Sequence, residues 1–432
     1  VKKGFGGFDS LQAGEVMVQW SDVRGAFRMS IRTNYNHTLT ASYLGYVTQA
    51  IVNNFAPLLF LTFQRELHVP LEQITLLVSL NFAVQLAVDA LAARFVDRLG
   101  YRFWIVTAHI LSGLGLLGLG VLPRLLPAPF VGLLLAVVLY AMGGGLLEVL
   151  VSPIVEACPT ERKEAAMSLL HSFYCWGHVF VVLASTAFFA LFGIAGWPVL
   201  ACLWALLPLC NAVYFSLVPI RRLPGEHGGK GLRALFGNKL FWVLMLLMVC
   251  AGASEQGMSQ WASAFAEAGL GVSKTLGDLT GPCLFAVMMG IARVLHARYS
   301  DRLPLARVMA ACAVLCVVGY LLAALSGLPL LSLIGCALVG FSVGVFWPGT
   351  FSLAAAGVPA GGTAMFALLA LAGDLGCSSG PATVGLVADA AGGQLRIGLL
   401  AAIAFPLLML LGLWLKGRTK PARAGAEGAP PM

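Results

Sequence analysis

The chain alternates long apolar stretches with short polar breaks. One stretch, FWIVTAHILSGLGLLGLGVL at 103–122, carries no charged side chain. About 20 apolar residues rising 1.5 Å each cross a hydrocarbon core of about 30 Å. In lipid every backbone polar group must be bonded inside its own segment, so such spans are helices. Twelve are expected, at 38–63, 72–95, 103–122, 130–157, 165–192, 197–219, 240–266, 276–297, 305–325, 328–357, 363–387 and 396–415. The loops between them are short, except the charged, Gly-rich RRLPGEHGGKGLRALFGNK at 221–239. The expected division is a tail at 1–34, a bundle at 35–219, a central loop at 220–239, a bundle at 240–415 and a disordered tail at 416–432. Residues 1–28 lack the apolar core of a signal peptide, and Met29 opens the segment before the first span. They are expected to be an over-extended reading of the gene start.

Composition agrees with a membrane protein. Only 11% of residues are charged and mean hydropathy is +0.88, against about 25% charged in soluble domains. The net charge of +8 is spread among loops, which argues for topology and against nucleic acid. By the expected spans, 22 Lys and Arg fall on one side, 4 on the other, and Arg293 inside a span. The positive-inside rule then puts both termini in the cytoplasm and the protein in the cytoplasmic membrane. The ten cysteines form no CxxC pair and no Cys/His cluster, so neither a disulfide frame nor a metal site is expected. No GxxxxGK[ST] loop and no HExxH occurs, so neither ATP drive, nor an enzyme, nor a cofactor is expected.

The chain repeats itself. LAARFVDRL at 91–99 returns as LHARYSDRL at 295–303, an offset of 204 residues, or six spans. Six spans restore the original orientation, so the two halves are parallel repeats, as in carriers that hold substrate between two bundles near the midplane. A second echo pairs Gly145 and Pro153 of the fourth span with Gly340 and Pro348 of the tenth, each pair eight apart.

The cluster AARFVDRLGYR resembles the loop signature GxLaDrxGrk of the major facilitator superfamily, with Asp97, Arg98, Gly100 and Arg102 matching; the second copy keeps Asp301 and Arg302 but has Pro304 in place of Gly. The resemblance implies an all-α fold of twelve transmembrane helices in two pseudo-symmetric six-helix bundles, working by alternating access. It also implies that Asp97, Arg98, Arg102, Asp301 and Arg302 latch the cytoplasmic side. QAIVNNFAPLLFLTFQ, GGGLLEVLVSP and HSFYCWGH further resemble fucose-permease-type sugar/proton symporters, which couple through acids in spans one and four. Glu148 matches the span-four acid, whereas Asn54 stands where the span-one acid belongs.

Ionisable side chains at membrane depth cost about 2.5–3.5 kcal/mol or more, so they mark pathways or partners. Asp89, Glu148, Glu255, Arg293 and Asp374 qualify. Glu148 follows three glycines and is the candidate proton carrier, since desolvation favours a neutral carboxyl. His171 and His178, seven apart on one face, could assist it. Asp89 and Arg293 are related by the same offset of 204 and are expected to gate through conformation-dependent pairing, not necessarily with each other. Asp374 is expected either beside a gate cation or in the substrate site.

Amides and aromatic faces suit a polyhydroxyl ligand. The candidates are Tyr46, Gln49, Asn53, Asn54, Gln85, Trp176, Glu255, Gln256, Ser259, Gln260, Trp261 and Trp347. The same amides serve equally as interhelical hydrogen bonds, worth about 0.6 kcal/mol each. The expected protein is a monomeric secondary transporter for a small neutral polar solute, a sugar or sugar derivative, taken up with a proton. Export of amphipathic compounds and a non-transporting receptor of the same fold are the alternatives.

Overall fold

The computed structural model describes residues 31–159, 163–221, 235–299, 304–358 and 362–418. All twelve expected spans are helices there, with ends within four residues of those expected. They are α1 (Tyr35–Leu67), α2 (Leu71–Leu99), α3 (Tyr101–Leu125), α4 (Pro129–Ala157), α5 (Lys163–Phe192), α6 (Trp197–Leu217), α7 (Lys239–Gly269), α8 (Lys274–His296), α9 (Leu305–Leu325), α10 (Pro329–Gly357), α11 (Gly362–Ala390) and α12 (Leu395–Arg418). The expected over-extension at 1–28, most of the central loop and the far C-terminal tail lie outside the described residues.

Local signals show the repeat at the start of each bundle. α1 opens on Asn34, whose side chain accepts from Asn36 N–H at 2.9 Å. α7 opens on Asn238, which accepts from Leu240 N–H at 2.9 Å. Asn34 and Asn238 are 204 residues apart, the offset of the DRL clusters. In both helices the Asn caps a first-turn N–H that has no partner within the helix. α4 and α10 both carry Pro in the first turn, where its missing N–H costs nothing.

Packing follows the repeat too. α1 packs on α4, α5 and α6, as α7 packs on α10, α11 and α12. α2 meets α4, and α8 meets α10. Gly145 on α4 makes its approach possible: a Cβ there would lie 2.9 Å from Gln85 O on α2. Gly340 on α10 does the same against the carbonyl of Phe285 on α8. The second sequence echo therefore marks two equivalent close helix crossings.

The four helices α1, α4, α7 and α10 keep 61–83% of their most apolar window buried, against 39–56% for the other helices so measured. They are the inner helices. The outer ones present a lipid-compatible surface, with Leu191, Phe192, Val213 and Leu325 exposed. The bundles meet along two seams, α2 against α11 and α5 against α8.

Candidate functional site

Three of the four inner helices are interrupted along their length. α1 passes through a 3-10 turn at Ala56–Leu59 containing Pro57. α7 breaks at Gln260 and Trp261, and α10 at Gly344 and Val345. Irregular backbone at membrane depth is tolerated where it is buried in protein or lines a cavity. The polar side chains gather beside these breaks.

Three acids meet in the α2–α11 seam. Carboxylate oxygens of Asp89 (α2), Glu148 (α4) and Asp374 (α11) all lie within 4.8 Å of one another. The sequence alone gives these residues three different roles: gate, proton carrier and substrate contact. The structure makes them one cluster.

A chain of amides leads to it. Asn81 Nδ2 and Gln85 Nε2 donate to Asn53 Oδ1 at 3.2 and 2.9 Å. Gln49 Nε2 donates to Gln85 Oε1 at 2.9 Å and to Glu148 Oε2 at 3.3 Å. From the other bundle, Gln260 Nε2 donates to Asn53 O at 3.0 Å and to Gln256 Oε1 at 2.9 Å, and Gln256 Nε2 donates to Glu255 Oε1 at 3.3 Å. Gln49, Asn53, Gln85, Glu255, Gln256 and Gln260 thus form one connected layer across both bundles. Asn54 turns back onto Ala50 O at 2.9 Å and lies beside the Tyr174 hydroxyl. Ser259 is buried nearby. The Trp347 ring packs against Gly373, next to Asp374, where a Cβ would collide with it.

The α5–α8 seam carries the opposite charge. Arg293 (α8) donates to Cys175 Sγ (α5) at 2.9 Å and to Gly344 O at 3.3 Å. Glu255 and the hydroxyls of Tyr46 and Tyr174 lie within its electrostatic reach. Among the described residues no carboxylate lies within salt-bridge distance of this guanidinium. Asp89 therefore belongs to the acid cluster and Arg293 to the opposite seam. His171 is exposed and stands edge-on to Tyr46, ring centroids 5.4 Å apart. His178 is buried.

Two expectations do not hold, and a third contact is absent in this conformation. Trp261 is fully buried, its Nε1–H bonded to Pro381 O at 3.0 Å and its ring 5.3 Å from Phe60, so neither ring face is open to a solute. Trp176 is 50% exposed on a stripe of α5 with Leu169, Phe180, Leu183 and Leu191, its ring edge near Gly290 of α8 and away from the amide layer. Arg102 does not reach between the bundles. It donates to the carbonyls of Phe215, Ser216 and Val218 at 2.7–2.9 Å and closes the end of α6 within its own bundle. Of the remaining latch residues, the Asp97 and Arg98 side chains and all of Asp301 and Arg302 lie outside the described set.

The end opposite the termini is closed by contacts that sequence reasoning misses. Arg65 pairs with Glu267 at 2.6 Å across the bundles. Asp278, fully buried at the end of the short α-helical start of α8 and just before its π-helical stretch at Leu279–Cys283, receives Ser263 Oγ, Lys274 Nζ at 2.7 Å and Thr186 Oγ1 of the other bundle at 3.4 Å. Ser378 Oγ donates to Ser79 O at 3.2 Å in the other seam. The one signal for this closure is Asp278 itself, an acid four residues after Lys274 in a span start.

Two parallel bundles, broken inner helices and a polar layer between them define a membrane carrier that holds its solute at the bundle interface. A profile of the Major Facilitator Superfamily matches residues 42–381, and the chain belongs to that family. A search of curated proteins found no match. Among solved structures, a bacterial homologue of the human lysosomal transporter Spinster, inward-facing and occupied, superposes with a TM-score of 0.72 at 16% identity, over 89% of this chain and 97% of that one. The nucleoside transporter NupG gives 0.71 at 13% identity, over 88% and 98%. The E. coli fucose:proton symporter gives 0.62 at 17% identity, over 88% and 98%. These likenesses show the fold. The chain is a multi-pass membrane transporter and not an enzyme.

Proposed function

We propose that this transporter takes up a small neutral polar solute, a sugar or sugar derivative, together with a proton. The observation that carries the proposal is Glu148. It lies at membrane depth on an inner helix, is held by Gln49, and ends an amide chain linking both bundles. Amides bond hydroxyls, and Tyr46, Tyr174 and Trp347 offer aromatic surface beside them. A fucose:proton symporter and a nucleoside transporter share the fold, and fucose and nucleosides are both hydroxyl-bearing solutes. The closed end opposite the termini and the likeness to an inward-facing structure support a cavity open toward the termini. The positive-inside bias supports termini in the cytoplasm. The protein is proposed to work as a monomer in the cytoplasmic membrane.

The test is uptake into proteoliposomes under an imposed pH gradient, after a thermal-shift screen of sugars and sugar derivatives has given a substrate. Glu148→Gln should abolish gradient-driven accumulation while leaving solute exchange at equal concentrations. Accumulation undiminished in Glu148→Gln would refute proton coupling through this residue.

A further inference from the structure

The unpartnered polar atoms at the site are all of one kind. Gln49 Oε1, Asn81 Oδ1 and Glu255 Oε2 are buried with no hydrogen-bond donor, and Asp89 Oδ1 and Asp374 Oδ2 have no partner beyond the contact between their two carboxyl groups. Buried acceptors left unmatched are costly, so this set calls for a guest that donates or is positively charged. Gln49 is the informative member. It is 4% exposed. Its Nε2 is engaged by Gln85 and Glu148, while its Oε1 is left free. That oxygen lies 3.0 Å from where a Cβ of Gly144 would be, and Asp89 Oδ1 lies 3.1 Å from where a Cβ of Gly145 would be. Both oxygens therefore border the glycine-bared patch of α4 one turn from Glu148. Asp374, 5% exposed, closes the space from the other bundle.

We propose that Asp89, Glu148 and Asp374, with Gln49 Oε1, bind a small cationic centre between the bundles: a hard metal ion or the ammonium group of an amine-bearing solute. The spacing suits either. Oxygens bound to one hard ion at about 2.4 Å lie at most about 4.8 Å apart. Acceptors about 2.8 Å from one ammonium nitrogen, in tetrahedral directions, lie about 4.6 Å apart. The three carboxylates fall within 4.8 Å of one another. The donor set is all oxygen, which suits sodium- or calcium-like ions and N–H donors and does not suit zinc-like ones. The protein's own buried cation does not fill the role, because Arg293 is engaged by Cys175 and Gly344 in the other seam. The site takes ligands from both bundles, so its occupant favours the conformation in which α2 and α11 meet.

The inference shares Glu148 with the transport reading and rests on it for its place in a transport cycle; binding itself is read separately. Purified full-length protein is melted in sodium, calcium or choline chloride at matched ionic strength, and in choline chloride with glucosamine or glucose. Sodium or calcium raising the melting temperature by a few degrees above choline assigns a metal ion. Glucosamine raising it where glucose does not assigns an ammonium group. Asp374→Asn and Gln49→Leu should each abolish that shift. An identical melting temperature in all five wild-type samples, or a response to pH alone, overturns the proposal even if neither variant folds. In that case proton-driven uptake would still stand, and failure of uptake would leave a measured cation shift intact.

Discussion

Gln260 tests how the closed end is held. Four residues after Asn53 comes Pro57, which has no N–H to give the Asn53 carbonyl. Gln260 of the opposite bundle supplies the missing donor at 3.0 Å. Gln260→Leu keeps the apolar bulk and leaves that carbonyl buried without its cross-bundle donor whenever the bundles meet. An orphaned buried acceptor costs about 1–3 kcal/mol, and the cost is relieved when the end opens to water. That shifts the balance toward the open form by about 5- to 150-fold. Arg65→Gln removes another of the cross-bundle bonds at this end, Arg65–Glu267, but the guanidinium is 67% exposed. Exposed pairs contribute about 0.2–1 kcal/mol, so that shift is at most about fivefold and shrinks with added salt. The assay is a spin-label pair at exposed His68 and Ser273, in a background with the native cysteines replaced, read as a distance distribution. Gln260→Leu should add a longer population that Arg65→Gln adds weakly or not at all. The reasoning is refuted if Arg65→Gln produces the larger change, or if Gln260→Leu leaves the distribution unaltered.

Two further outcomes follow from packing. Gly340→Ala drives a methyl further into the backbone of α8 than Gly145→Ala drives one into α2. Both should destabilise, by about 1–3 kcal/mol, with Gly340→Ala the worse in a thermal melt. Gly145→Ala should be the worse in transport, because it displaces Gln85 and Asp89 relative to Glu148. Arg102→Lys keeps the charge but loses the planar fork that reaches three carbonyls at the end of α6. It should cost about 1–3 kcal/mol in the same melt and leave substrate affinity unchanged, whereas a gating role would alter transport first.

The spans were legible because lipid allows one solution for a long apolar segment and because the bundles repeat. The offset of 204 extends from the DRL clusters to the capping residues Asn34 and Asn238. The candidate acids were legible singly, since a charge at membrane depth is rare. Their assembly was not. Asp89, Glu148 and Asp374 stand 59 and 226 residues apart, and no periodicity within one helix can show which faces meet across a seam. For the same reason Trp261 reads as a stacking surface and Arg102 as a latch. Each has the right chemistry for the role, but its hydrogen bonds are fixed by residues far away in sequence, Pro381 in one case and the end of α6 in the other.

The repeat also explains why the bundle interface is polar in two senses. A two-fold relation between bundles exchanges α2 with α8 and α5 with α11, so it carries the α2–α11 seam onto the α5–α8 seam. Were the chemistry as symmetric as the backbone, both seams would carry like charge. Instead the position eight residues before the repeated aspartate is Asp89 in one copy and Arg293 in the other. Asp89 joins Asp374 across the first seam, and Arg293 joins Cys175 across the second. The bundle interface between them is flanked by an acidic side and a basic side, with the amide layer between the two. A solute with opposite polarity at its two ends is oriented by such a field, whereas a uniformly polar one is held by the amides alone. Orientation then depends on Asp89 and Arg293 together. The double exchange Asp89→Arg with Arg293→Asp conserves net charge, but it sets a guanidinium among the remaining acids and a carboxylate against Cys175. The guanidinium would then occupy the place of any external cation. The exchanged protein should therefore lose the melting shift with sodium, calcium or glucosamine, while Asp89→Asn alone should only weaken it. A full shift in the exchanged protein would remove Asp89 from the acidic side and end the argument from asymmetry.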